Sequence, residues 1–141
     1  MKLFLDTSVL LAAAGSAKGA SRFVVEQAEA QRWLLLTVPY CIEEALRNAR
    51  KIGPKAPATL SRTIIPKLEL VPTELAFDKA LVFPKAKDRP VLLSALGEAD
   101  CLLTLDEADF QKVIGSLTLR PESIGPEKNT PIPSYLACSC F

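Results

Sequence analysis

The chain has 141 residues, long enough for one domain with a sizeable core. Its net charge of +1 gives no broad basic field for polyanions, and 49% apolar against 23% charged residues is an ordinary globular balance. Histidine is absent, which removes Ser-His-Asp and Cys-His nucleophile pairs and every zinc site with a histidine ligand.

In chain order, Leu3 to Leu5 is a short apolar run ending at Asp6, with Thr7 and Ser8 ready to cap a helix. Ser21 to Gln31 carries helix formers and an apolar stripe of Phe23, Val24 and Ala28. Trp33 to Val38 is a nearly continuous apolar run stopped by Pro39, which suits a strand buried on both faces of a parallel sheet. Tyr40 to Ile52 has helical periodicity, with Cys41, Ile42, Ala45, Leu46, Ala49 and Ile52 on one face and Gly53-Pro54 at its end. The proline-interrupted Lys55 to Lys67 holds one short helix around Leu60 to Ile65, and Leu68 to Val71 is a strand. Thr73 caps a helix over Glu74 to Val82.

Asp88 precedes a compact helix, Pro90 to Leu96, with proline in its first turn and Gly97 beyond its end. Cys101 to Leu105 is the next buried strand and runs into Asp106; Leu117 to Leu119 is an edge strand. The organisation is one domain over residues 1–120 and an extended tail over 121–141. Strands alternating with helices imply an α/β fold, a central parallel sheet with helices on both faces. In such sheets ligands gather beyond the carboxyl ends of the strands, where the strand order reverses.

Cys41 and Cys101 read as small core residues, and Cys138 and Cys140 are too close together to close a loop with each other. Reduced thiols and a cytoplasmic setting follow from that usage. Asp6 interrupts the apolar N-terminal stretch that would otherwise read as a signal peptide. The final CSCF fits a prenylation box only formally, since Ser139 and Cys140 are not aliphatic, and no apolar run reaches membrane-spanning length.

Two strand candidates end in aspartate. If they are neighbours, Asp6 and Asp106 face each other at the sheet edge, and Asp88 at a helix start can reach the same place. Crowded carboxylates repel unless a cation holds them, and hard oxygen ligands select magnesium or manganese. Each acid alone is as well explained by a helix cap or a turn; the combination carries the functional reading.

The segments LFLDTSVLLAA, IEEALRNARK and KDRPVLLSALGEADCLLTLDEADF, spanning Leu3 to Phe110, resemble in order the signature blocks of PIN domains. In character they are closest to the bacterial and archaeal group that includes VapC-like toxins. The resemblance places the catalytic acids on Asp6, Glu44, Asp88 and Asp106, binding Mg2+ or Mn2+, with Asp109 as an extra candidate ligand. Periodicity does not choose between Glu43 and Glu44; the family pattern, an apolar residue after its glutamate, favours Glu44. Thr104 and the Thr7-Ser8 pair are secondary candidates: Thr104 shares a side of the strand with Asp106 and can hold it or a water, and Thr7 orients Asp6 or only starts the helix.

The activity implied is metal-assisted hydrolysis of RNA by an endoribonuclease. Arg47, Arg50, Lys51, Lys87 and Arg89 are candidate contacts for RNA phosphates, although a run of cations is commonly a solvated face. The family further implies a toxin paired with a small antitoxin protein, and a homodimer. The alternatives are a catalytically inactive PIN-fold module that binds RNA or protein, and a housekeeping RNA-processing nuclease.

Overall fold

Three runs of leucine-rich sequence become neighbouring strands because each is too short for a helix and apolar on both sides. The computed structural model describes residues 1–73, 89–106 and, for the backbone, 137–140. In chain order these are β1 (Lys2–Leu5), α1 (Thr7–Gly15), α2 (Ala20–Gln27), β2 (Leu34–Thr37), α3 (Pro39–Ile52), α4 (Ala56–Thr59), β3 (Glu69–Leu70), α5 (Arg89–Glu98), β4 (Cys101–Thr104) and β5 (Ala137–Cys140). The expected helix after Thr73 and strand at Leu117 lie outside the described residues.

The sheet order is β3-β2-β1-β4-β5. β1 pairs in parallel with β2 and β4, and β2 with β3, while β5 runs antiparallel to β4. The fold is therefore α/β, with a four-stranded parallel sheet closed on one side by an antiparallel strand. Leu3, Phe4 and Leu5 in the central strand are all 0% exposed, so both faces of the sheet are covered.

The connections explain how. β1 leads to β2 and then β3 in one direction, and right-handed crossovers put α1, α2, α3 and α4 on one face. β4 lies on the other side of β1 from β2 and β3, and a right-handed connection to it puts α5 on the other face. The order thus reverses between β1 and β4, and in such sheets ligands gather beyond the carboxyl ends of the strands at that reversal.

Helix boundaries depart from the sequence reading in instructive ways. Asp6, not Thr7 or Ser8, is the N-cap of α1: its backbone is extended (φ −74°, ψ 163°) and its carboxylate accepts the Thr7 amide. Pro39 begins α3 rather than stopping β2, since a proline in the first helical turn sacrifices no internal hydrogen bond. Of the face expected on α3, Cys41, Ala45 and Ala49 are fully buried, while Leu46 and Ile52 are exposed. The small residues are the ones pressed inward, since they let the helix axes approach. The same closeness shows at Gly15, where an added Cβ would collide with the Ile52 side chain. Phe23 is likewise exposed, and Val25 joins Val24 in the core instead.

Helical backbone extends from α4 through a wide turn at Leu60–Ile64 and a tight turn at Ile65–Lys67. Pro66 has no amide to continue a regular α-helix, and the Ile65 amide reaches back to the Leu60 carbonyl. α5 runs through Gly97, which the sequence reading placed beyond the helix end.

The largest correction concerns the C-terminus. Within the segment expected to be an extended tail, Ala137–Cys140 pairs along β4, with Cys140 opposite Cys101. Cys101 is disulfide-bonded rather than a reduced core thiol. Cys41 is free and buried. Local pattern could not show the strand pairing, because the contact is made across a long intervening segment. Among the described residues, no helix is long and apolar enough to cross a membrane.

Candidate active site

Where β1 ends, the chain turns directly into α1, and Asp6 is the turning residue. Its amide still belongs to the sheet, donating to the Leu103 carbonyl at 3.1 Å, while its carbonyl receives the Val9 and Leu10 amides of the first helical turn. The side chain is left with little room, and the residue is only 9% exposed. Its carboxylate is nonetheless well supplied with donors. Oδ1 accepts the Thr7 amide at 2.7 Å; Oδ2 accepts the Ser8 hydroxyl and the Thr104 hydroxyl, each at 3.0 Å.

All these donors are neutral. Among the described residues, no lysine or arginine forms an ion pair with Asp6. Burial pushes the Asp6 carboxyl above its ordinary value, against the opposing pull of the Ser8 hydroxyl, the Thr7 amide and the Thr104 hydroxyl. The geometry favours the ionised form, because every neighbour presents a hydrogen to it. Desolvation disfavours that form, and among the described residues no cationic side chain offsets the cost.

Two further acids are tied to this centre, each through a threonine. The Thr7 hydroxyl donates to Glu44 Oε2 at 2.8 Å, linking α1 to α3. Glu44 is half-buried at this seam and Glu43 is exposed. On the other side, Thr104 Oγ1 accepts the Asp106 amide at 3.0 Å while donating to Asp6. The Asp106 residue itself is exposed. Thr104 is thus more than a β-branched strand former: its hydroxyl joins the two strand-end aspartates.

Cys41 lies on the inner side of the same seam. Burial, then the nearby Asp6 charge, pushes its thiol up to about 11. Such a thiol stays protonated near neutral pH and is no nucleophile.

The structure therefore links Asp6, Thr7, Glu44, Thr104 and the Asp106 amide near the carboxyl ends of β1 and β4. Asp88, Asp109 and Lys87 lie outside the described residues. Among the described residues, no group of three or more histidine, cysteine, aspartate or glutamate side chains is close enough to hold a metal by itself. Asp6, Glu44 and Asp106 are linked through hydroxyls rather than packed against one another. Arg47, Arg50 and Lys51 are exposed on α3 in the turns after Glu44, and Arg89 is exposed at the start of α5. Arg47 donates to the Glu43 carbonyl at 3.3 Å and Lys51 to Asn48 Oδ1 at 2.8 Å.

Ser8, which the sequence offers with Thr7 as a secondary candidate or a helix start, takes a specific place beside Asp6. Its hydroxyl accepts the Leu105 amide at 3.0 Å while donating to Asp6. The signal available was its position, two residues after an acid that closes a central strand. Comparison of the chain with protein-family models, with curated proteins and with solved structures finds no match.

Proposed function

We propose that this protein is a magnesium- or manganese-dependent endoribonuclease of the PIN-domain kind. The observation that carries the reading is Asp6: a buried carboxylate at the switch point of a parallel sheet, surrounded by neutral donors, and joined by hydroxyls to Glu44 and Asp106. A hard divalent cation suits this all-oxygen set, and it would offset the burial of charge that the neutral donors leave uncompensated.

Asp6, Glu44 and Asp106, together with Asp88, are the residues that would hold the cation. When bound, it supplies Lewis acidity for phosphodiester hydrolysis. The chain's own residues do the positioning. Thr7 orients Glu44, Thr104 orients Asp6 and steadies the turn carrying Asp106, and the N-terminus of α1 favours negative charge at Asp6. Arg47, Arg50, Lys51, Lys87 and Arg89 contact RNA phosphates, and the net charge of +1 makes that contact local rather than a general affinity for nucleic acid. The biological role that best suits such an enzyme is the toxin of a toxin–antitoxin pair, held by a small antitoxin protein and acting as a homodimer. A housekeeping RNA-processing role uses the same chemistry.

The test is cleavage of a fluorogenic RNA in Mg2+ or Mn2+, with a chelator and with Asp6→Asn as controls. Cleavage that survives both would overturn the reading. The hydroxyl-linked, rather than clustered, acids favour one competing reading, an inactive module that binds RNA or protein. RNA binding without cleavage in either metal would support it.

A further inference from the structure

Ser8 has a hydrogen-bond pattern that helix formation does not require. Asp6 is already the N-cap of α1, and Ser8 is the second residue inside the helix. A serine serving the helix start would direct its hydroxyl to an amide of that first turn. Here the hydroxyl leaves the helix: its proton goes to Asp6 Oδ2 at 3.0 Å, and its oxygen receives the Leu105 amide at 3.0 Å.

Thr104 does the same from the neighbouring strand. Its hydroxyl donates to the same Oδ2 at 3.0 Å and receives the next amide, that of Asp106, at 3.0 Å. With both protons directed to Asp6, the Ser8–Thr104 approach of 3.5 Å is a contact rather than a strong hydrogen bond. One carboxylate oxygen is thus bridged twice, through two hydroxyls, to two successive amides of the turn that leaves β4. A single bridge would let that turn pivot about Thr104. The second bridge fixes its direction as well as its distance.

We propose that Ser8 is a positioning residue, whose bridge from Asp6 to the Leu105 amide sets the separation between Asp6 and Asp106 required for both to hold one cation. This rests on the metal-dependent reading given above. Ser8 has no contact with substrate in this role and acts entirely through the two aspartates.

The experiment measures Mn2+ affinity directly, by calorimetry or by the loss of the free-ion spin-resonance signal, on wild type, Ser8→Ala, Ser8→Thr and Ser8→Cys. Thermal unfolding without metal and RNA cleavage across a Mn2+ titration are recorded on the same samples. The expected result is Mn2+ binding by wild type that weakens roughly tenfold in Ser8→Ala, as for loss of a group that orients a ligand. Cleavage by Ser8→Ala recovers at high Mn2+, and Ser8→Thr, which keeps the hydroxyl, restores affinity. Should Ser8→Ala not fold, Ser8→Cys keeps the packing with a weak donor and is judged by the same criterion. Wild-type affinity in the folded Ala or Cys variant would overturn the role of Ser8 and leave the metal-dependent reading standing. Absence of Mn2+ binding by wild type would overturn both.

Discussion

The exits of β1 and β4 look alike in sequence, each an apolar run that meets an aspartate, yet the fold treats them in opposite ways. Asp6 is buried, caps a helix and has both carboxylate oxygens occupied by donors. Asp106 is exposed, and its hydrogen bond to the site is made by its backbone amide. The first exit is rigid because β1 is central and turns straight into α1. The second lies beside it but opens outward, so its carboxylate keeps freedom to adjust. In the proposed metal centre, Asp6 would be the fixed oxygen ligand that defines position and Asp106 the one able to move onto the cation.

The comparison breaks most visibly in activity. Replacing either aspartate by asparagine is expected to reduce metal-dependent RNA cleavage by more than the roughly 10–100-fold typical of losing a supporting group. Unequal losses in a single-turnover assay would show which exit dominates. Next in size is Thr104→Val, which keeps the β-branched shape but removes a donor from a buried carboxylate. It is expected to cost about 1.5–3 kcal/mol in urea unfolding, the range for hydrogen bonds to charged groups. A loss near zero would mean that Ser8 and Thr7 hold Asp6 unaided.

A probe of comparable size reads the buried exit through pH. In the folded protein the Cys41 thiol titrates at about 11, whereas an unperturbed thiol does so near 9.0. Between those values the unfolded chain has lost the proton that the folded chain keeps, so stability falls as pH rises from about 9 toward 11. The fall should amount to about 2–3 kcal/mol and be absent from Cys41→Ala, as followed by thermal unfolding across that range. The smallest effect is expected at the open exit. Asp106→Asn should alter metal-free stability by no more than about 0.5 kcal/mol, as for other exposed substitutions, and a larger change would show that its side chain is part of the fold.

Much of this architecture was legible because its causes are local. The apolar runs at Leu3, Leu35 and Leu102 could only be buried strands, and their alternation with helices implied a parallel sheet with aspartates at a strand-order reversal. What escaped depends on what lies opposite. Apolar periodicity assigned Leu46 and Ile52 to the inner face of α3, but the close approach of α1 selects Cys41, Ala45 and Ala49. Helical periodicity did not separate Glu44 from Glu43, since the meeting with Thr7 is a tertiary contact, and Ser8 gained its significance only once β4 lay beside β1. No periodicity in 121–141 signalled that its last residues would return to the sheet.

That returning strand matters for the chain's solubility. β4 is a buried Cys-Leu-Leu-Thr segment, and without β5 it would offer an unpaired row of amides and carbonyls at the sheet margin. The opposite margin, β3, protects itself by being only two residues long and by exposing Glu69. β4 has neither defence. A chain cut before Ala137 would therefore present the kind of flat apolar edge on which another molecule's strand can pair, and its association into soluble oligomers or fibres would follow from the missing neighbour alone.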